Sequence, residues 1–314
     1  MAWRAIRISA AVEVDKGSFD VRFASTMRML RGFDARWFQI AFLSSLLLFG
    51  VVARDFSITS LQLGATFASA LFTQAAWQWG LKLPGRTSWH GYLSAIVSAI
   101  GIGILVRADN GWVHPLVACI AMSSKYLVRA GSGGSRSHVF NPANLAALLA
   151  CCVLPGAWLS PGQWGSGALT ALWLLALGGV VTGRVARRDV GLAFLSAWGG
   201  LLAARIAWLD YAADVGVDIW LHQMSNGATL LFAFFMISDP MTTPQRGAAR
   251  IAYAAAVATA AFTWQFVLFK PHGLILMLAA LSLAVPAINL LLPAAKFEWR
   301  ASSVRAGIKS TSPA

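Results

Sequence analysis

The chain is 314 residues long, 58% hydrophobic and only 12% charged, with a mean hydropathy of +0.65. Soluble domains carry roughly twice that share of charge, so composition excludes an ordinary soluble fold and predicts a polytopic helical membrane protein. A net charge of +13 then reads as the basic bias of cytoplasmic loops rather than as a nucleic-acid surface.

In chain order, the first 36 residues are basic and polar to amphipathic. They contain no apolar core of secretory length, so no cleaved signal peptide is expected. Ten apolar spans follow, at about 37–53, 58–80, 90–106, 111–128, 142–157, 165–183, 190–208, 221–238, 248–268 and 271–293. The tail, 294–314, is short and basic. The expected plan is an N-terminal cytoplasmic segment (1–36), a ten-helix transmembrane domain (37–293) and a cytoplasmic tail (294–314).

Charge tests the count independently. With the N-terminus inside, all but four of the 25 Lys and Arg fall on cytoplasmic segments. The four on the outside are Arg54, Arg107, Arg205 and Lys270, together with the acidic trio Asp210, Asp214 and Asp218. One miscounted span would scramble this split, so both termini are predicted to be cytoplasmic. Ten spans also divide into two inverted five-helix halves, a common plan for transport folds. Trp37, Trp112, Trp208 and Trp220 lie near span ends, where an interfacial belt would hold them. Trp173 falls mid-span and reads as a packing residue.

Four stretches could carry chemistry. The first, Ser225-Asn226-Gly227-Ala228-Thr229, sits at the outer end of span eight. Its small residues allow close helix packing, and Thr229 offers a hydroxyl that a modifying enzyme could use. The second, Ser238-Asp239-Pro240-Met241-Thr242-Thr243-Pro244, ends the same span on the cytoplasmic side. Proline stops the helix there, and a carboxylate at membrane depth needs a partner, for which Arg246 and Arg250 are nearest. Structural turn and ligand contact are equal readings of this stretch.

The third runs from Lys125 to Asn144. Its GSGGSR is glycine-rich like a phosphate loop, but it lacks GxGxxG and a following Lys-Ser or Lys-Thr, so it reads as a flexible connection. The Asn141-Pro142-Ala143-Asn144 turn can cap a helix or bind the edge of a heterocycle. The fourth is the uncharged loop 155–165, whose Trp158 and Trp164 suit a lid, a partner surface or interfacial anchoring. The five scattered histidines and three cysteines have no metal-ligand spacing, so no metal site is predicted, and no catalytic triad can be read.

The runs KYLVRAGSGGSRSHVFNPANLAALL, AWLSPGQWG and NGATLLFAFFMISDPMTTP resemble the membrane subunits NqrB and RnfD. These belong to the sodium-pumping NADH:quinone oxidoreductase and the Rnf electron-transport complex. The resemblance covers about residues 37 to 293 and implies a compact, RnfD-like form in a bacterial cytoplasmic (inner) membrane. It further implies a flavoprotein that relays electrons among other membrane and peripheral subunits, sometimes coupled to ion movement. In this family FMN is esterified to the Thr of an outward-facing Ser-Gly-Ala-Thr motif. The matching position here is Thr229, with Gly227 and Ala228 conforming and Ser225 and Asn226 beside it. Asn226 stands where the family carries Ser or Thr, and Gln223 where many transferase sites carry Asp.

On this reading Asp239, Thr242, Thr243, Asn141, Asn144 and Lys125 line a second pocket on the cytoplasmic side, for a second flavin or a quinone. The chain itself carries no dinucleotide domain for NADH oxidation and would be an electron-relay subunit rather than a catalytic one. Two other classes fit the same sequence. One is a channel or secondary transporter built on helices broken at Pro142 and Pro240. The other is a cofactor-free scaffold whose basic N-terminal segment binds a subunit or anionic lipid.

Overall fold

Three of the helices begin at a short polar side chain that caps them. In the computed structural model, which describes residues 34–54, 56–82, 89–131, 136–160, 164–297 and 299, Thr59 and Gln62 form a reciprocal capping box. Asn141 accepts from Asn144 N (3.1 Å) just before Pro142, and Asn226 accepts from Ala228 N (2.9 Å). Both asparagines are therefore helix caps, whatever else they do.

All the described elements belong to the unit from Ala35 onward. Helices α1 (Ala35–Ala53) and α2 (Ser60–Gly80) are followed by a short 3-10 turn (Trp89–Tyr92) and α3 (Leu93–Leu105). Strand β1 (Val106–Ala108) leads to α4 (Val113–Leu127), then β2 (Arg129–Ala130), β3 (Ser137–His138), α5 (Pro142–Val153) and β4 (Ala157–Leu159). The rest is α6 (Ala168–Arg184), α7 (Arg188–Trp208), α8 (Ala213–Met224), α9 (Gly227–Leu231), α10 (Gly247–Phe262), α11 (Gly273–Ser282) and α12 (Val285–Leu291). Helix α9 continues as a π turn over Phe232–Met236, and α10 as another over Thr263–Val267. β1 pairs antiparallel with β4, and β2 with β3. The fold is thus all-α in character, with two short ladders that the sequence pattern did not announce.

The packing repeats. In the first five helices α2 lies on α4, α1 on α3, and α4 on α5. In the second set (α6, α7, α9, α10 and α11, with α8 as an extra helix) α7 lies on α10, α6 on α9 and its π turn, and α10 on α11. The fifth members of the two sets, α5 and α11, also meet. Residue size explains the close seam of α7 with α10. Ala254, Val257, Ala258 and Ala261 of α10 recur at helical spacing and are fully buried, which lets backbones approach closely.

Each of the ten predicted spans contains helix, but not all of it. Among the described residues, two helices, Ala35–Ala53 and Arg188–Trp208, are long and apolar enough to cross a membrane. The pair α11 and α12, bent by 43°, adds a third. Others are shorter because they give way to extended backbone, as α3 does at β1 and α5 before β4. The expected span over 221–238 needs correction: Asn226 breaks the helix, so α9 starts at Gly227 and α8 is a separate, largely exposed helix before it.

The interfacial tryptophans divide. Trp37, Trp112 and Trp208 are exposed, whereas Trp220 turns inward and donates to Gly199 O (2.9 Å). Trp173 packs edge-on against Phe49, as a mid-span packing residue should (5.4 Å). Segment 1–36 lies outside the described residues except at its end. The tail does not hang free at its start, since Phe297 N donates to Gln245 Oε1 (3.1 Å) and Arg187 lies over the Phe297 ring.

Candidate functional site

The third helices of the two packing sets, α3 and α9, face one cavity of about 510 Å³. From α3 it receives Ser94, Val97, Ser98, Gly101, Ile104 and Leu105. From α9 and its π turn it receives Leu231, Phe234, Phe235 and Met236. The inserted residue of a π turn rotates successive side chains by less than an α-helical step, which is how three consecutive residues come to share one wall.

One end of the cavity is polar. There the two proline steps, remote in sequence, come together: Asn141 Nδ2 donates to Asp239 Oδ2 (3.3 Å), and His138 Nε2 lies 4.0 Å from the same oxygen. Asp239 also holds its own turn, accepting from Met241 N at Oδ1 (3.0 Å). Lys125 enters from α4 and donates to Ser94 Oγ and to Gln74 Oε1 (3.4 Å), while Gln74 Nε2 donates to Tyr126 Oη (2.6 Å). Arg36, Arg129, Arg136 and Trp299 complete this end, with Arg36 over the Trp299 ring. Asp239 is the one carboxylate among the described lining residues, so the cavity carries a positive balance that suits an electron-rich or anionic guest.

The sequence-predicted residues separate into three groups. Lys125, Asn141 and Asp239 meet on the cavity wall. Asn144, Thr242 and Thr243 do not. Asn144 Nδ2 donates to Ile275 O (3.1 Å) and ties α5 to α11. Thr242 lines a neighbouring pocket beside Gln245 and Asn289, and Thr243 Oγ1 accepts from Arg187 Nε (3.1 Å). The expected partner of Asp239 also needs correction. Arg250 instead clasps Asp189 (2.7 Å), and Arg246 is exposed, because α10 carries Arg250 toward the α7 start. Burial pulls Arg187 down to about 10, with Arg250 adding to the shift. It remains a cation near neutral pH that clamps Thr243 and Gln245.

The third group, at the other end of α9, is closed over. Gly227 N donates to Gly165 O (2.8 Å), and a Cβ on Gly227 would stand 2.6 Å from Trp164 Cβ. Ser225 Oγ donates to Ser166 O (3.2 Å). Ala228 is half-buried, but Thr229 is only 5% exposed, so a reagent reaching its hydroxyl requires its surroundings to move. Trp164 is buried edge-on against Phe56 (5.2 Å), which makes it a packing residue rather than an interfacial lid. Residues 132–135 of GSGGSR and 161–163 of the tryptophan loop lie outside the described residues.

Gln74, Gln78, Ser94 and Tyr126 were not singled out by sequence reasoning. A signal existed: Gln62, Thr66, Thr73, Gln74 and Gln78 form one buried polar stripe on α2 at helical spacing. Asp239→Ala is expected to cost about 1–3 kcal/mol, since Met241 N and Asn141 Nδ2 both lose their acceptor, and Asp239→Asn should cost less. Thermal unfolding in detergent checks that order. No protein-family model and no curated protein matches the chain.

Proposed function

We propose that the chain is the integral membrane subunit of an electron-transport complex and holds a flavin ring in the cavity between α3 and α9. The observation that carries this reading is the cavity itself. It has the volume of a small-molecule site, lies at matching positions of two repeated helix sets, and is walled by apolar and aromatic side chains with a few convergent polar groups. That is where two-half membrane folds build their binding sites. The resemblance of the NPAN and SDPMTTP stretches to NqrB and RnfD supports the same assignment.

The residues suit a flat heterocycle. Phe234, Phe235, Tyr126 and Trp299 offer ring faces, and Lys125 and Asn141 offer donors to carbonyl edges. When bound, a flavin supplies one- and two-electron chemistry, while the protein contributes position and electrostatics. Asp239, His138 and Asn141 hold the mouth of the cavity in one arrangement.

In this reading ten helical segments cross a bacterial inner membrane with both termini cytoplasmic, as two inverted halves. The short helices α3, α5 and α9 complete their crossings with non-helical backbone, which a bilayer tolerates only where protein covers it. The buried strand β1 answers that condition. Partners are further subunits of the complex and lipid. Thr229 is the candidate for a covalent FMN at the outer face, separated from Asp239 by roughly 15 Å of helix axis.

The test is the spectrum of the full-length chain purified in detergent, before and after adding riboflavin or FMN. Bound flavin is expected, released on denaturation from the cavity. Any flavin that stays with the chain on a denaturing gel should vanish in Thr229→Val. A colourless chain that takes up neither flavin overturns the assignment. Solute flux into liposomes without an electron donor would favour a transporter, the reading that the paired short helices also fit.

A further inference from the structure

We propose that the segment carrying Phe297 and Trp299 is a strap that closes the polar end of the cavity, and that the cavity's guest enters and leaves past Trp299. The inference concerns the cavity and not the identity of its guest.

Trp299 faces two ways. It lines the cavity with Arg36 over its ring and is only half-buried, so it stands between the cavity and the surroundings. Other groups at that end ride on held backbone. Arg36 belongs to α1 and Lys125 to α4, Asn141 caps α5, and Asp239 is tied into its own turn. Residues 293–297, which lead toward Trp299, lie in neither helix nor strand, and 293–296 are exposed.

The docking contacts of this segment are polar and aromatic. Phe297 N donates to Gln245 Oε1 (3.1 Å), and the Phe297 ring lies under Arg187 (5.5 Å). The Trp299 ring lies under Arg36 (5.0 Å), and the two aromatic rings meet edge-on (5.2 Å). A guanidinium stacked on a ring near the surface is a weak hold, and backbone outside any ladder opens at lower cost than a packed helix. The segment can therefore lift while the helices stay packed. Gln245 makes its seat specific. The same Oε1 accepts from Arg187 Nη2 (3.1 Å), and Nε2 donates to Pro240 O (3.3 Å) and Thr243 O (3.2 Å). The strap thus sits on the turn that brings Asp239 to the cavity wall.

The test reads the openness of the cavity with a thiol reagent. Cys119, Cys151 and Cys152 are replaced by Ala in the full-length chain. Val97→Cys or Ala143→Cys then puts one thiol on the wall, from α3 or from α5. Modification by sulfonatoethyl methanethiosulfonate in detergent is followed by intact mass. Trp299→Gly and Phe297→Ala are each expected to speed it by about tenfold or more at both wall positions, because the strap spends more time lifted. Trp299→Phe, which keeps a ring under Arg36, should change it by less than about threefold.

Cys119 is the control, held between α2 and α4 by Ser69 and Thr73. Kept as the one cysteine, it should react at the same rate with and without the strap substitutions. A parallel rise there means general loosening and overturns the inference, as do unchanged rates at both wall positions. A second arm adds riboflavin, which should slow modification of the wall thiols. Faster modification in the strap variants with no protection by riboflavin upholds the strap and counts against the flavin reading. Protection by riboflavin with unchanged rates in the variants does the reverse.

Discussion

Arg107→Leu is expected to lower the stability of the fold by about 2–4 kcal/mol. The guanidinium is fully buried, yet it lies at the end of a helix that needs it. Its Nη1 donates to Gly103 O (2.8 Å) and Val106 O (2.6 Å), its Nη2 reaches Ile104 O (3.5 Å), and its plane lies 4.0 Å from the Phe56 ring centre. The last carbonyls of α3 have no intrahelical donors, and they form the negative end of its dipole. β1 begins there and must pair with β4, with Arg107 opposite Trp158. Leucine would fill part of the volume and take the side-chain donor from the Gly103 and Ile104 carbonyls, leaving Val106 O with His114 Nε2 (3.3 Å) alone. Lysine should recover only part of the loss, because a point charge cannot serve three carbonyls as a planar fork does.

Thermal unfolding of wild type and Arg107→Leu in detergent is the measurement. A midpoint within about 1 °C of wild type would refute the capping role.

The parts of the fold that sequence could disclose are those with local causes. Apolar runs marked where most of the helices fall, because such a run is read within one segment. Asn141 and Asp239 were each conspicuous as proline steps, but nothing local could say that residues 98 positions apart share a hydrogen bond. The buried glutamines of α2 did leave a trace, a polar stripe at helical spacing, and it was obscured by the helix's overall apolar character. Helix α8 was lost for the opposite reason. Asp210, Asp214 and Asp218 advertised a loop, although their spacing of four also fits one face of a helix. The π turn left no trace at all, since FAFFM differs in no local feature from an ordinary apolar helix. Arg187 was counted as a loop charge. Its burial comes from Thr243 and Gln245, which only the fold brings to it.

That π turn is also where the cavity is most vulnerable. Two glycines from different helices clasp it. A Cβ at Gly178 of α6 would overlap Phe234 Cβ and Cγ, and a Cβ at Gly191 of α7 would stand 3.0 Å from Ala233 O. Rotating the Phe234 ring cannot relieve the first overlap, because the atom nearest the backbone is itself in the way. Valine at 178 must push α6 off the turn, and Val181 and Val185, on the cavity wall along with Phe234, must shift with it. Gly178→Val is expected to cost about 1–3 kcal/mol and, on the proposed flavin reading, to weaken riboflavin binding by roughly tenfold or more, because the wall that moves is the one proposed to pack the ring. Gly179→Val is the matched control. It introduces the same residue one position along the same helix, where a Cβ meets nothing within 4 Å. The control should unfold and bind like wild type apart from the small cost of a β-branched residue in a helix. If the two variants lose stability and ligand equally, helix propensity alone accounts for both, and the clasp around Phe234 contributes nothing to the cavity. If only the Gly178 variant suffers, the cavity owes its shape to a bulged turn held between two glycines.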